Sequence, residues 1–209
     1  MSSSCSPQAA PDAAPDAAPD AAPDAATSRP SPWVMRFAPL IPAGAPVLDL
    51  ACGSGRHVRA LAALGHPLLG VDRDAQALAG LRDLPGVRTL VADLEAAPWP
   101  LEQRRFGGVV VTRYLWRPLL PGIVRAVADG GVLIYETFAL GQQTVGRPSR
   151  AEFLLRTGEL LEAVRGQLRV VAYEDGFDPA AGGCFVQRIC AVRGADTRAD
   201  DPLPPKYNL

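Results

Sequence analysis

No apolar run in the chain approaches 18 residues, so a membrane-spanning helix is not expected. There is no Cys-x-x-Cys pair. Cys5, Cys52, Cys184 and Cys190 are scattered over 209 residues, too sparse for a disulfide framework, and no metal site is expected. Charge of one sign is also lacking. The net charge is −1, with −3 on residues 1–32, −1 on residues 195–209 and a mild +3 between them. An excess that small is no nucleic-acid footprint. The opening residues lack the basic start and apolar stretch of a signal peptide. The expectation is a protein of the cytoplasm, a reducing compartment, without membrane or nucleic-acid partners.

Proline, by contrast, is abundant and unevenly placed. Seven of the 21 prolines fall in residues 1–32, and residues 11–26 read Pro-Asp-Ala-Ala four times. A proline every fourth residue removes a backbone donor from each helical turn. Residues 1–32 are therefore expected to be a disordered tail, and residues 195–209 a flexible one. The 162 residues between them suffice for one domain, 33–194, with a core of its own.

Within that domain the pattern alternates. Residues 33–40 predict a short amphipathic helix. Strands are expected at 47–51, 67–72, 87–93, 106–114 and 130–138, and helices at 56–64, 74–84, 117–128 and 151–165. Two final strands, 168–176 and 184–193, have no helix between them. Strands apolar on both sides and separated by helices imply a parallel sheet covered on both faces. With right-handed crossovers this gives an α/β, doubly wound, Rossmann-like sheet of seven strands, with an antiparallel hairpin at one edge. Ligands of such sheets bind at the carboxyl ends of the strands.

The turn after the first strand reads VLDLACGSGRH (47–57). Gly53 and Gly55 lie between a strand and a helix, where positive φ and close ligand approach are needed. Asp72 ends the next strand and can accept hydrogen bonds from both hydroxyls of a ribose. A dinucleotide site wants a third glycine in the helix; Val58 stands there instead. Asp49, at the mouth of the turn, disfavours a pyrophosphate and favours an ammonium or a sulfonium. Both cations occur in S-adenosylmethionine, which carries no phosphate. Its carboxylate can use the amides of the turn and the helix N-terminus.

DLACGSG resembles the first motif of the class I S-adenosylmethionine-dependent methyltransferases, with Ala51 in place of the first glycine. Over residues 33–193 the chain is most similar to the small bacterial group of tellurite-resistance type. The resemblance implies S-adenosyl-L-methionine as cofactor, held by Asp49, Ala51, Gly53 and Gly55. It implies Asp72 on the ribose with Arg73 along the adenine, Asp93 on the adenine amino group with Leu94 beside the ring, and Thr112 and Arg113 along the methionine part. The Asn/Asp-Pro-Pro-Tyr/Phe signature of nucleic-acid amino methyltransferases is absent at TRYLWRP (112–118). A small-molecule acceptor is therefore expected, with no acceptor chemistry specified.

Catalytic candidates are few, because methyl transfer needs alignment more than acid–base help. Tyr114 and Trp116 can line the pocket or pack in the core. Glu136 can orient an acceptor, act as a base, or pair with an arginine. His57 opens a helix and can face the pocket. Arg117, Arg147 and Arg150 can border the cleft and recognise an anion, or lie solvated. Cys52 reads as a small residue packed under the loop, His66 as structural and Asp74 as a helix N-cap. Two other functional classes remain open: a cofactor-binding sensor without turnover, and an NAD(P)-dependent oxidoreductase.

Overall fold

The computed structural model describes residues 29–96, 98–180 and 182–194. The expectations for residues 1–28 and 195–209 lie outside them. The first helix, α1 (Pro32–Phe37), starts where local chemistry dictates. Ser31 Oγ accepts a hydrogen bond from Trp33 N, and Pro32 fits the first turn, whose amide needs no partner. Ser31 is buried, so the folded unit begins before the boundary expected at residue 33.

Seven strands form one sheet: β1 (Val47–Leu50), β2 (Leu68–Asp72), β3 (Val87–Val91), β4 (Phe106–Thr112), β5 (Val127–Phe138), β6 (Arg169–Asp178) and β7 (Cys184–Val192). Their order is β3-β2-β1-β4-β5-β7-β6. The first five are parallel, and β7 runs antiparallel between β5 and β6. The doubly wound α/β sheet with its edge hairpin is the expected one. The chain leaves β1 in one direction through β2 and β3, then returns to the other side of β1 with β4. That reversal opens a crevice at the carboxyl edge.

Register sets what faces the crevice. Leu50 pairs with Val71 and Val111. One residue further come Ala51, Asp72 and Thr112, and Thr112 pairs with Glu136. Two buried clusters sandwich the sheet. Leu48, Leu50, Val109, Val111, Leu133 and Ile189 belong to one. Val47, Val58, Val110, Val132, Ile134 and Cys190 belong to the other, which also takes Val34 and Phe37 of α1.

Several helices are shorter than expected. The helix expected at 74–84 is α3 (Ala75–Ala79), preceded by α2 (Arg56–Ala63). Asp74 caps it as expected, but it ends at Gly80, and Pro85 blocks its renewal. The helix expected at 117–128 is a single tight turn, Arg117–Leu119, followed by α4 (Leu120–Arg125). Strand β5 then starts at Val127 because Val127 pairs with Phe106, and a register shift carries it past Gly130 and Gly131. The helix expected at 151–165 keeps only α5 (Glu159–Val164), since Gly158 at φ +75° breaks the run. No helix joins β3 to β4 among the described residues, so β3 is only half covered and Val91 is 50% exposed. None of the described helices is long and apolar enough to cross a membrane.

Candidate functional site

The glycine turn is built by backbone conformations that side chains resist. Ala51, Gly53 and Gly55 have φ of +54°, +54° and +81°. A Cβ on Gly55 would lie 2.5 Å from the Leu81 side chain, so glycine is required there. A Cβ on Gly53 would meet nothing within 4 Å, which leaves open space in front of the turn. The place of the third dinucleotide glycine is filled by the fully buried Val58. The helix–strand contact is relieved on the strand side instead. Gly70 of β2 leaves room for Cys52 Sγ and Val58 Cγ2, which would lie 3.0 and 3.4 Å from a Cβ there. Burial pushes the Cys52 thiol far up, so it packs rather than reacts.

Asp49 is the most unusual group in the crevice. It is 1% exposed, and neither carboxylate oxygen has a hydrogen-bond partner. Burial pushes its carboxyl up to about 7, with Arg56 opposing the rise and Asp72 adding to it. A buried carboxylate left without a donor is costly. This one is poised to meet a cation.

Asp72 accepts from Gly53 N at 2.7 Å through Oδ2 and from Asp74 N at 3.0 Å through Oδ1, and so ties β2 to the glycine turn. Asp93 is exposed. Its Oδ1 accepts from Glu95 N and Ala96 N, and these bonds hold its carboxyl below the usual range. Leu94 is buried beneath that turn. Arg73 lies close enough to Asp93 to lower its carboxyl further. Tyr114 sits at the same end. Its hydroxyl is buried without a partner, and after burial Glu95 and Asp93 contribute most to its raised pKa. The backbone carbonyl of Tyr114 accepts from Tyr135 OH at 2.9 Å, a positioning contact that a residue so deep in β5 gave no sign of in the sequence.

His57 does not face the crevice as a base. It is 1% exposed, its Nε2 accepts from Ser31 N at 3.0 Å, and Nδ1 lies 3.5 Å from Thr112 Oγ1. Burial depresses it to about 3, with Arg56 and Arg113 adding to the effect, so the ring is neutral. It fastens the segment before α1 to α2 and the end of β4. His66 is structural as expected, its Nδ1 lying 3.1 Å from the Ala45 carbonyl.

A second cavity of about 260 Å³ opens at the ends of β4 and β5, lined among others by Arg113, Glu136, Thr137, Phe138, Arg147 and Arg188. Arg113 reaches it from a strained turn at φ +53°. Glu136 is paired: its Oε2 lies 2.5 Å from Arg188 Nε, and Arg188 also bonds Glu174 and Asp178. Of the three arginines expected near a cleft, only Arg147 lines this cavity. Arg117 instead bonds both oxygens of Glu159 and the carbonyls of Glu152 and Leu154. Arg150 pairs with Glu152 and stacks on Phe153. Trp116 packs against the core. Arg56 and Arg188 were not singled out in the sequence; Arg56 adjoins the glycine turn and was open to notice, whereas Arg188 depends on the β5–β7 register. Among the described residues no cluster of His, Cys, Asp and Glu fits a metal ion.

This geometry agrees with what the chain resembles. Residues 47–131, from β1 into β5, match the family model described as a methyltransferase domain. The sheet is that of TehB from Haemophilus influenzae, at 23% identity and a TM-score of 0.60, covering 78% of this chain and 61% of that one. It is likewise that of a TehB-like S-adenosylmethionine-dependent methyltransferase from Corynebacterium glutamicum, at 24% identity and a TM-score of 0.57, covering 81% and 91%. The 1,6-didemethyltoxoflavin-N1-methyltransferase of Burkholderia thailandensis shares the fold at 17% identity and a TM-score of 0.58, over 78% and 77%. No curated protein matches the sequence. Residues 47–131 thus resemble a methyltransferase domain, and the sheet has the fold of solved S-adenosylmethionine-dependent methyltransferases. The partnerless Asp49 carboxylate together with the open space before Gly53 would fit S-adenosylmethionine.

Proposed function

We propose that the chain transfers the methyl group of S-adenosylmethionine to a small-molecule acceptor seated in the cavity at the ends of β4 and β5. The observation that carries this reading is Asp49, a buried carboxylate with no partner at the mouth of a glycine turn. In this reading Asp49 accepts from the cofactor's ammonium. Ala51, Gly53 and Gly55 shape the seat, Asp72 takes the ribose hydroxyls, and Asp93 takes the adenine amino group. Leu94 and Arg73 flank the base, and Thr112 and Arg113 run along the methionine part. A pyrophosphate would bring further negative charge beside Asp49, which disfavours a dinucleotide. The B. thailandensis relative, whose structure holds 1,6-didemethyltoxoflavin and S-adenosylhomocysteine, supports a small acceptor.

When bound, the cofactor supplies an electrophilic methyl on a sulfonium that leaves as a neutral thioether. An acceptor lone pair would take that methyl carbon, and the electron pair of the carbon–sulfur bond would remain on sulfur. An acceptor that carried a proton on its nucleophilic atom releases it to solvent. What the chain contributes is alignment of acceptor atom, methyl carbon and sulfur, an effect worth up to about 7–11 kcal/mol in well-oriented reactions. Glu136, held by Arg188, orients the acceptor from the cavity wall. The catalytic unit in this reading is the described domain, and its setting is the cytoplasm. Incubation of the full chain with a metabolite extract and methyl-labelled cofactor tests the proposal, with mass spectrometry of the product. A labelled small molecule is expected. Cofactor binding with no labelled product in any fraction would leave a sensor and remove the enzyme.

A further inference from the structure

The amino edge of the sheet, opposite the crevice, carries a cavity that the proposed function does not use. Its volume is about 510 Å³, within the roughly 300–1,000 Å³ of small-molecule sites. Val47, Leu68, Val87 and Phe106, the first residues of β1, β2, β3 and β4, all line it. Ala51 lies four residues beyond Val47, so at roughly 3.3 Å per residue the glycine turn begins about 13 Å away. Pro46 and Pro67 lead into β1 and β2, line the cavity as well, and offer no N–H. The amides beside them are already engaged: Val47 N donates to the Pro67 carbonyl, Leu68 N to that of Gly86 and Val87 N to that of Leu84. A helix between β3 and β4 would return the chain along this face to the amino edge, and among the described residues there is none. What faces the space is therefore apolar, apart from two guanidiniums. Arg88 pairs in register with Leu69, so both side chains rise from one face of the sheet, and both residues line the cavity. Arg104 lines it too, with its guanidinium carbon 5.5 Å from the centroid of the Phe106 ring. Both arginines are exposed, and neither side chain has a hydrogen bond or ion pair among the described residues. Arg117 and Arg188, by contrast, are held by carboxylates. No acid lines the cavity. Of the nearest acids along the chain, Asp93 lies past the far end of β3, and Asp83 and Glu102 form no ion pair among the described residues.

We infer that this amino-edge cavity is a second ligand site, for a small organic acid with an apolar body. The carboxylate meets Arg88 and Arg104, and the hydrocarbon part rests on the prolines and the aliphatic strand starts. An apolar wall alone admits any hydrophobic solute; two unpaired guanidiniums select the anion, since their forked donors match a carboxylate. A free phosphate or a nucleotide suits the cavity less, because most of its polar atoms would face apolar groups and amides already engaged. The site is independent of the function proposed above. It shares no lining residue with the β4–β5 cavity and none with the residues assigned to the cofactor.

Titration of the full chain with octanoate, followed by the shifts of its backbone amides in NMR spectra, tests the site. Octanamide lacks the charge and acetate lacks the apolar body. Octanoate should move the amides of Leu69, Gly86, Val87 and Arg88 and leave those of Gly53 and Gly55 in place. Octanamide and acetate should each bind about tenfold more weakly or worse. Arg88→Gln and Arg104→Gln should each weaken octanoate by about three- to tenfold and leave octanamide unchanged, and Arg88→Lys should recover part of the loss. Both side chains are exposed, so the variants should melt with the wild type, which separates lost charge from lost fold. The inference is overturned if octanoate leaves the amino-edge amides unmoved or moves only those of the glycine turn. It is equally overturned if octanamide binds as tightly as octanoate, or if both glutamine variants bind octanoate as the wild type does. No cofactor enters the experiment, so its outcome is separate from that of the methyl-transfer test.

Discussion

In the proposed reading Asp49 answers to two opposed demands, stability without ligand and affinity with it. Its folded carboxyl keeps its proton up to about 7, well above the ordinary carboxylate range. The folded chain therefore binds more protons between that range and about 7, and the stability contributed by the neutral form is lost as pH rises through about 7. Asp49→Asn should stabilise the ligand-free chain at pH 8 by about 1–3 kcal/mol, once the cost of an unsatisfied amide is subtracted. The check is a higher denaturant midpoint; an equal or lower one contradicts the argument. Binding follows the opposite sign. An ammonium favours the ionised carboxylate, so below about pH 7 binding must release a proton. S-adenosylhomocysteine affinity should then fall by up to about tenfold per pH unit. Titrations at pH 5.5 and pH 8 read this, and equal affinities would refute it. Gly55 carries a different constraint. Gly55→Ala meets both a φ of +81° and the Leu81 side chain, and should cost about 2–4 kcal/mol in chemical denaturation. Asp49, the glycines and Asp72 were legible from sequence because each sits at a fixed offset from a strand end. The lock on His57 was not, since it depends on a partner brought from a distant segment.

Among the elements, α5 depends most on side chains from outside itself. Glu159 at its start is 4% exposed and accepts from Arg117 through both oxygens, and from Arg156 N. Gln187 of β7, fully buried, accepts from Leu160 N and donates to the Arg156 carbonyl. Burial alone would raise the Glu159 carboxyl, but the bonds from Arg117 and Arg156 outweigh it and leave it below its usual value. Its stabilising contribution is present above the unfolded carboxylate pKa and lost as pH falls below that range. Amide exchange should report α5 opening in acid before the β1–β4 strands do; simultaneous opening would contradict this anchoring. Arg117→Ala leaves Glu159 with only Arg156 and should cost about 3 kcal/mol. Element type was readable from the apolar spacing. Element length was not. The shortened α5 follows from Gly158, whose left-handed conformation the spacing does not encode. The passage from β3 to β4, free of helix among the described residues, includes Pro98 and Pro100, and those prolines alone hinted at it.

For the whole molecule, the decisive feature is the reversal of strand order at β1 and β4, which places the glycine turn, Asp72, Thr112 and Glu136 along one rim. A ligand spanning that rim stabilises the folded state by mass action, by about 2.7 kcal/mol at a hundredfold excess over its Kd. Thermal unfolding should accordingly shift upward with S-adenosylhomocysteine and not with NADH; the reverse pattern would favour an oxidoreductase. The topology was legible because strands and helices alternate and then stop alternating. The cavity was not, because its wall is assembled from the turn after β4, from β5 and β7 and from the loop after β5. The most direct test is a calorimetric titration of S-adenosylhomocysteine into the wild-type chain and Asp49→Asn at pH 8. Wild type should bind, and the variant should bind about ten- to a hundredfold more weakly, as expected for a lost charge-assisted hydrogen bond. Equal affinity in the two would mean that the buried carboxylate is not the partner of the cofactor's ammonium.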